Sequence, residues 1–262
     1  MSEMSSYAPG TFCWVEVGTT DAAAASRFYA QLFGWEAETV MDGPDGNYVM
    51  LRQSGKDVAG LYQLSPEQST QGIPPHWLSY VSVADASVGA KKAASLGGRV
   101  VMDAFDVMDV GRMALVQDPT GAMLALWQPK RHIGARLVNE PASLCWNELA
   151  TTNADAARKF YTALFDWKAQ EQDFGPMKYT TFLNDDRPNG GMLEMTAEWT
   201  GTPPHWMTYI AVDDCDRTVS RAQELGGTVC VPPQDIPNIG RFAVLQDPQG
   251  AMFSVIRMLT PS

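Results

Sequence analysis

The sequence contains the same long segment twice, and this duplication limits the fold more than any other feature. The segment PGTFCWVEVGTTDAAAASRFYAQLFGW at Pro9 to Trp35 returns as PASLCWNELATTNADAARKFYTALFDW at Pro141 to Trp167, which is 132 residues further on. Repeats of this length are whole domains rather than the units of a solenoid. We therefore expect two similar tandem domains, over residues 1–130 and 131–262.

Composition narrows the class of protein. The chain has 262 residues, of which 45% are hydrophobic and 19% are charged, enough for two ordinary cores. The net charge of -11 would repel a phosphate backbone, so we expect no binding to nucleic acid. A basic cluster at Lys130 to Arg136 falls between the repeats, where we expect a solvated linker. The sequence has no apolar run long enough to span a membrane and no leader pattern, so we expect a cytoplasmic protein.

Each repeat divides into two modules with the order strand, helix, three strands. In the first module, a strand at Phe12 to Val17 precedes an Ala-rich helix, for which Thr19, Thr20 and Asp21 supply capping side chains and which ends at Gly34. A turn is expected at Asp42 to Gly46, and the second module begins with a strand at His76 to Val83. The four modules predict an α+β protein with two βαβββ pairs.

Two motifs close each domain. The turns Asp118-Pro119-Thr120-Gly121 and Asp247-Pro248-Gln249-Gly250 suit a type I turn, although their carboxylates could also belong to a site. Asp106 with Arg112, and Asp235 with Arg241, share a spacing of six that favours an ion pair bracing a loop against a strand. The alternative is that these arginines grip an anionic ligand.

The motifs FYxxLFGW after the first strand, HWxxYxxVxD opening the second module, and GRxAxxxDPxGA closing it resemble the vicinal oxygen chelate superfamily. This superfamily includes glyoxalases, bleomycin-resistance proteins and extradiol dioxygenases, and the likeness covers nearly the whole chain. The resemblance implies that the four βαβββ modules form two open, concave, barrel-like mixed sheets with helices outside. It also implies a small-molecule site in each concave face, in metal enzymes and metal-free binders alike.

In the enzymes of this superfamily, His, Gln or Glu residues from four strands hold a divalent metal. The resemblance places the corresponding positions of this chain at carbon side chains, glycines and one hydroxyl: Trp14, Gly60 or Leu61, Leu78 and Ala125 in the first domain, and Trp146, Gly191 or Met192, Met207 and Ser254 in the second. Such residues cannot hold Zn, Ni or Fe, so we expect no metal and no cofactor. A displaced site would need Glu16 with His76, or Glu148 with His205 and Glu194.

Strand alternation predicts what faces each concavity. The expected ligand-binding residues are Trp14, Leu78, Tyr80, Met123 and Trp127 in the first domain, and Trp146, Met207, Tyr209, Met252 and Ser254 in the second. Glu16 and Glu148 lie on the same inward faces, together with the candidate polarising residues His76 and His205. The alternatives are purely structural roles, in which the aromatic residues fill the barrel and the histidines form hydrogen bonds with the loop backbone.

Two functions fit this pattern. The favoured one is a metal-independent protein that binds a small organic ligand in an apolar, aromatic pocket, similar to resistance members of the superfamily. The alternative is a glyoxalase-like lyase or isomerase in which Glu16 or Glu148 removes a proton next to a carbonyl that His76 or His205 polarises. A scaffold with filled cavities is a third reading. Because the two domains of one chain can pair like the subunits of a dimer, the internal duplication favours a monomer. A homodimer is the alternative.

Overall fold

The computed structural model describes residues 3–41, 47–174 and 177–259, so the turn expected at Asp42 to Gly46 lies outside the described residues. The first domain consists, in chain order, of β1 (Phe12–Thr19), α1 (Ala22–Phe33), β2 (Glu36–Met41), β3 (Tyr48–Gln53), β4 (Lys56–Gln63), α2 (Pro66–Thr70), β5 (His76–Ser82), α3 (Ala86–Ser95), β6 (Arg99–Val107), β7 (Gly111–Gln117) and β8 (Met123–Pro129). The short helix α2 was not expected from sequence. Its capping box at Ser65 and Gln68 is the signal for it.

The second domain repeats this order. It consists of β9 (Leu144–Thr151), α4 (Ala154–Phe165), β10 (Lys168–Phe174), β11 (Met177–Asn184), β12 (Arg187–Glu194), a 3-10 turn at Ala197–Trp199, β13 (His205–Ala211), α5 (Cys215–Glu224), β14 (Thr228–Ile236), β15 (Gly240–Gln246) and β16 (Met252–Met258). The four βαβββ modules and the α+β class are confirmed. None of the helices in the described part of the chain is long and apolar enough to cross a membrane.

Each domain forms one eight-stranded mixed sheet. The strand order is β2-β3-β4-β1-β5-β8-β7-β6 in the first domain and β10-β11-β12-β9-β13-β16-β15-β14 in the second. The two modules of a domain join through antiparallel pairing of their first strands, β1 with β5 and β9 with β13. The first and last strands of each module pair in parallel. The last strands of each module and the two first strands therefore lie at the centre of the sheet, where the site residues were expected.

The first helix of each domain starts and ends as the sequence predicts. The side chain of Asp21 accepts a hydrogen bond from the backbone N–H of Ala24 and so caps α1, and Gly34 ends it with φ of 75°. Phe28 and Tyr29 are buried on one face of this helix. That face packs on the sheet of its own module and also on the second domain, where Tyr29 lies 5.7 Å from Phe253 between ring centroids.

The two domains exchange equivalent hydrogen bonds. The hydroxyl of Tyr29 donates to Oδ2 of Asp247 at 2.9 Å and accepts from the indole N–H of Trp77 at 3.0 Å. All three side chains are buried, so the motif tyrosine of one domain binds the turn aspartate of the other. The matching set comprises Trp206, Tyr161 and Asp118, at 2.8 and 2.9 Å.

The turn and ion-pair motifs have the expected local roles. Asp118 and Gly121 close their turn through a backbone hydrogen bond of 3.1 Å. Nη1 of each motif arginine lies 3.1 Å from its expected aspartate, which confirms the pairs Arg112–Asp106 and Arg241–Asp235. These arginines brace strand pairs, and Arg112 does not line the cavity described below.

The segment between the domains packs against the first domain, which corrects the expectation of a solvated linker. The N–H of Ala135 donates to the carbonyl of Cys13 at 2.7 Å, and the indole N–H of Trp127 donates to the carbonyl of His132 at 2.9 Å. Gly134 has φ of 110°, and a Cβ there would lie 2.2 Å from the oxygen of Cys13. The charge of this segment alone suggested that it is exposed to solvent. Its close backbone approach instead holds His132 against the first domain.

Candidate functional site

A buried glutamate forms the polar floor of the first domain's concave face. Glu16 is 8% exposed, and it pairs across the sheet with Gly60 and Leu78. Its Oε1 accepts a short hydrogen bond from the hydroxyl of Tyr80, and its Oε2 accepts one from Tyr48 at 3.0 Å. The indole N–H of Trp14 donates in turn to the Tyr48 hydroxyl at 3.3 Å. We call Trp14, Glu16, Tyr48 and Tyr80 the first-domain floor cluster.

The second domain contains the same cluster. The hydroxyls of Tyr179 and Tyr209 each donate to Glu148 at 2.8 Å, and the indole N–H of Trp146 donates to Tyr179 at 2.9 Å. We call Trp146, Glu148, Tyr179 and Tyr209 the second-domain floor cluster. Two copies with one geometry indicate that the arrangement is a built feature of the repeat rather than an accident of packing.

A glycine makes room for each cluster. A Cβ on Gly60 would lie 2.1 Å from the hydroxyl oxygen of Tyr48, and a Cβ on Gly191 would lie 1.8 Å from that of Tyr179. Both glycines occupy the fourth-strand position opposite the glutamate. The absence of a side chain at this position therefore provides the space that each tyrosine hydroxyl needs.

Burial controls the protonation of the clusters. Loss of solvation raises the pKa of Glu16 and Glu148, and the hydrogen bonds from their tyrosines offset only part of that rise. Burial and the neighbouring carboxylate also raise the pKa of Tyr48 and Tyr80 well above their usual range. The tyrosines therefore remain protonated donors, whereas the glutamates release their protons at a higher pH than an ordinary carboxyl group does.

These raised pKa values predict a loss of stability with rising pH. The folded state holds protons on Glu16 and Glu148 over a pH range in which the unfolded chain has released them. The contribution of these two glutamates to stability is therefore fully present below the ordinary carboxyl pKa of 4.5. It decreases as the pH rises from there until the pH has passed the raised pKa values of the folded state. Within that window, the free energy of unfolding should fall by about 1.4 kcal/mol per pH unit for each glutamate. Urea unfolding at a series of pH values measures this slope.

The double substitution Glu16→Gln and Glu148→Gln provides the control, because an amide cannot ionise but can still accept from one tyrosine and donate to the other. The fall in stability above pH 4.5 should disappear in this variant, which leaves the opposite, rising contribution of His132 and His205, whose pKa values burial lowers. The pKa values of exposed carboxylates such as Asp106 and Asp216 are lowered, so these groups make stability rise with pH, and they do so only at lower pH. An unchanged slope in the double variant would contradict the assignment.

A cavity of about 820 Å³ opens above the first-domain floor cluster. Its lining is mostly apolar and aromatic, and includes Leu78, Met50, Met113, Leu115 and Trp127 in addition to the cluster. The cavity also has charged and polar lining residues: Arg52, Asp57, Asp109, Arg131, His132 and Arg136. Five of the expected first-domain site residues therefore share this lining: Trp14, Glu16, Leu78, Tyr80 and Trp127.

The other expected site residues lie further away or in the second domain. Met123 is half-buried and does not line this cavity. Trp146, Glu148 and Tyr209 meet in the second-domain floor cluster, where Ser254 pairs with Tyr209 and Met207 pairs with Glu148 across the sheet. Met252 is 38% exposed at the start of its strand.

Neither candidate histidine bonds to a glutamate in the described contacts. His76 pairs with Gly18 rather than with Glu16; its Nδ1 lies 2.8 Å from the carbonyl of Pro74 and its Nε2 lies 3.3 Å from the hydroxyl of Tyr62. Nδ1 of His205 contacts the carbonyl of Pro203 at 2.9 Å, and burial lowers its pKa. A carbonyl partner fixes the proton on Nδ1 of the neutral ring.

Sequence reasoning missed Tyr48 and His132 in the first-domain site and Tyr179 in the second-domain floor cluster. Tyr48 and Tyr179 lie on β3 and β11 and were not named, although they occupy matching places in the two repeats. His132 packs edge-on against Trp14, with ring centroids 4.6 Å apart, and burial lowers its pKa. Its position in the linker sequence gave no signal for this contact.

The side chains around Glu16 do not provide the donor atoms that a divalent metal needs. Across residues 3–41, 47–174 and 177–259, no group of three or more His, Cys, Asp or Glu side chains is placed to hold a metal ion. Both carboxylate oxygens of Glu16 are bonded to tyrosines, and Gly60 and Leu78 beside it offer no donor atom. These residues do not fit a metal site of three or four N or O ligands.

Paired βαβββ modules that form concave sheets, each with a polar floor, define a protein of the glyoxalase-like class. The family model described as Glyoxalase/Bleomycin resistance protein/Dioxygenase superfamily matches residues 11–126 and 143–255. The chain belongs to this superfamily.

Similar proteins include both named relatives and solved structures. A Mycobacterium bovis protein with the provisional name glyoxylase CFP32 is 43% identical over 98% of both chains. The anthracycline biosynthesis protein DnrV of Streptomyces peucetius is 38% identical, over 97% of this chain and 96% of its own. The Mn(II)-bound glyoxalase of Novosphingobium aromaticivorans shares the fold with a TM-score of 0.66 at 15% identity, over 99% of this chain and 84% of its own.

Proposed function

We propose that this protein binds a small, mostly apolar organic ligand in the first-domain cavity without a metal ion. The observation that carries the proposal is the cavity of about 820 Å³ above Glu16, which has the size and the lining of a small-molecule site. Aromatic and thioether side chains provide contact area, and the floor cluster provides a few fixed polar atoms. The relationship to an anthracycline biosynthesis protein agrees with a ligand of several rings.

The floor cluster takes the place that a metal has in related enzymes. A ligand hydroxyl or carbonyl that reaches the floor meets Glu16, Tyr48 and Tyr80, whose hydroxyls remain protonated. Because Trp14 and the tyrosines bond to one another and to Glu16, these polar atoms are held in place before a ligand arrives. Such preorganisation lowers the entropic cost of binding.

Filling the cavity tests the proposal. Leu78 lies beside Glu16 and lines the cavity, so Leu78→Phe should occupy the space that a ligand needs. We expect this variant to bind 1-naphthol at least about tenfold more weakly than wild-type protein, as judged by quenching of tryptophan fluorescence. The protein is treated with chelator first, so that binding without metal is measured directly.

Met207→Phe is the matched control, because Met207 pairs with Glu148 as Leu78 pairs with Glu16. Its affinity for 1-naphthol should equal that of wild-type protein. No binding of 1-naphthol by chelated wild-type protein, with recovery on adding Mn(II) or Zn(II), would show that the ligand site depends on metal. Weaker binding by Met207→Phe alone would move the site to the second domain.

A second candidate function has one observation in its favour. Burial raises the pKa of Glu16 at the cavity floor, and a carboxylate of this kind suits a general base that removes a proton next to a carbonyl. A glyoxalase-like lyase or isomerase would then lose turnover when Glu16 becomes Gln, whereas a binding protein should keep its affinity for a neutral ligand. The two functions are separated by this one variant.

A further inference from the structure

Exposed apolar side chains surround the mouth of the first-domain cavity. Among the described residues, half of the large hydrophobic side chains that are more than a third exposed line this one cavity. These are Val40 (46% exposed), Met41 (44%), Met102 (44%), Phe105 (40%) and Met108 (64%). We call these five residues the apolar rim. Clustered exposed apolar area of this kind usually marks a binding surface.

The apolar rim comes from both edges of the sheet. Val40 and Met41 are on β2 and Met102 and Phe105 are on β6, which are the two outermost strands of the first-domain sheet. Met108 lies in the turn that follows β6. Because all five residues line one cavity, the curved sheet brings its two edges to the same opening, and the rim continues the apolar lining outwards.

The fold does not require an apolar rim, as the second domain demonstrates. Gln172 pairs with Tyr179 where Met41 pairs with Tyr48, and Gln234 pairs with Phe242 where Phe105 pairs with Met113. Exposed sheet edges are normally protected by polar residues of this kind. At these two positions the first domain has apolar residues that line the cavity where the second domain has glutamines, which favours a ligand as the reason for them.

The other side of the opening carries two pairs of opposite charges and one further cation, Arg136. Nε of Arg52 lies 2.7 Å from Oδ1 of Asp57, and Arg131 forms an ion pair with Asp109. All four residues line the cavity. Since the charges of the two pairs offset each other and only that of Arg136 is left over, this side does not favour a strongly charged ligand, and the apolar rim remains the dominant feature of the mouth.

We propose that the ligand of the first domain is amphipathic and longer than the enclosed cavity, with one polar group at Glu16 and an apolar body that extends past the apolar rim. This inference rests on the proposed function and adds the shape and polarity of the ligand to it. A three-carbon oxoaldehyde would leave most of the cavity and the whole rim uncovered. A long or multi-ring apolar body would cover both.

A homologous series of ligands tests the proposal on the full chain. The probes are 4-ethylphenol, 4-butylphenol and 4-octylphenol, which share a phenol head and differ in the length of the apolar chain. In wild-type protein, affinity measured by titration calorimetry should rise by up to about fourfold for each added CH₂ that is buried. The rise should continue through 4-octylphenol, because the longest chain reaches the apolar rim.

Phe105→Gln and Met41→Gln place the second domain's residues in the rim, and both positions are exposed, so the fold should survive. We expect these variants to bind 4-ethylphenol as wild-type protein does and to bind 4-octylphenol about tenfold more weakly. Val88→Gln is the control: Val88 is 61% exposed on α3 and does not line the cavity. Its binding of the whole series should match that of wild-type protein.

The outcomes separate the two proposals. Absence of binding by every phenol, in wild-type protein and all variants, would overturn the proposed function itself. Binding of all three phenols without a greater loss for 4-octylphenol in the rim variants would overturn only the inference about ligand length. A change in sedimentation coefficient or in vesicle binding of the rim variants, with unchanged affinity for the phenols, would assign the rim to a second copy or a lipid surface and would also overturn it.

Discussion

Replacing Asp118 by Ala is expected to lower the free energy of unfolding by about 4 kcal/mol or more, because five hydrogen bonds disappear and several buried donors lose their acceptor. Oδ1 of Asp118 accepts from the backbone N–H groups of Thr120, Gly121 and Ala122, at 2.7 to 3.0 Å, and from the hydroxyl of Thr120. Its Oδ2 accepts from Tyr161 of the other domain at 2.9 Å. Urea unfolding measures the change.

Asp21→Ala is the comparison for this effect. Asp21 caps α1 through a hydrogen bond that is exposed to solvent, and loss of such a cap costs about 1 kcal/mol. Asp247→Ala should match Asp118→Ala, because Asp247 makes the equivalent turn and accepts from Tyr29. If Asp118→Ala cost no more than Asp21→Ala, the turn aspartates would not join the domains as described. Unchanged affinity for 1-naphthol in the folded fraction would confirm that this carboxylate is outside the ligand site.

Gly60→Ala should destabilise the protein by about 3 kcal/mol, since the new methyl group displaces the Tyr48 hydroxyl from Glu16. The added Cβ would lie 2.1 Å from that hydroxyl and 2.8 Å from Cζ of the same ring. Tyr48 must then move into the cavity, so affinity for 1-naphthol should fall as well. Chemical unfolding and fluorescence titration of one preparation measure the two effects.

A double substitution isolates the cause. In a Tyr48→Ala background, the new methyl group keeps a contact of 3.1 Å with Cβ of Glu16 but displaces no hydroxyl, so Gly60→Ala should then cost only about 1 kcal/mol. Gly191→Ala should repeat the single effect in the second domain, where Tyr179 occupies the space. A cost that is equal in both backgrounds would mean that backbone strain, rather than the tyrosine, explains the glycine.

The sequence was sufficient for the local architecture and for the strand faces. Alternation in β1, β5 and β8 placed Trp14, Glu16 and Tyr80 on one face, and the observed pairing of Trp14 with Tyr80 and of Tyr80 with Ala125 confirms it. Alternation works here because a strand side chain has only two directions to choose from. Short-range caps and turns were equally readable, as Asp21 shows.

What the sequence did not reveal depends on contacts between distant segments. Tyr48 reaches Glu16 from a strand two places away in the sheet, and no local pattern encodes that approach. The hydroxyl of Tyr29 binds the turn aspartate of the other domain, a contact that no pattern within its helix encodes. His132 belongs to a basic stretch whose charge suggested solvent. The matching glycines Gly60 and Gly191 were the signal that could have identified the tyrosines.

The exchanged tyrosine–aspartate bonds have a consequence for how this duplicated chain can change over time. Since Tyr29 completes the turn at Asp247 and Tyr161 completes the turn at Asp118, each half is a structural subunit of the other. A chain that lost either half would leave a buried tyrosine and a buried aspartate of the other half without their partners. The second domain therefore stabilises the first whatever its own floor cluster binds, so substitutions around Glu148 can change that cluster without loss of the interface.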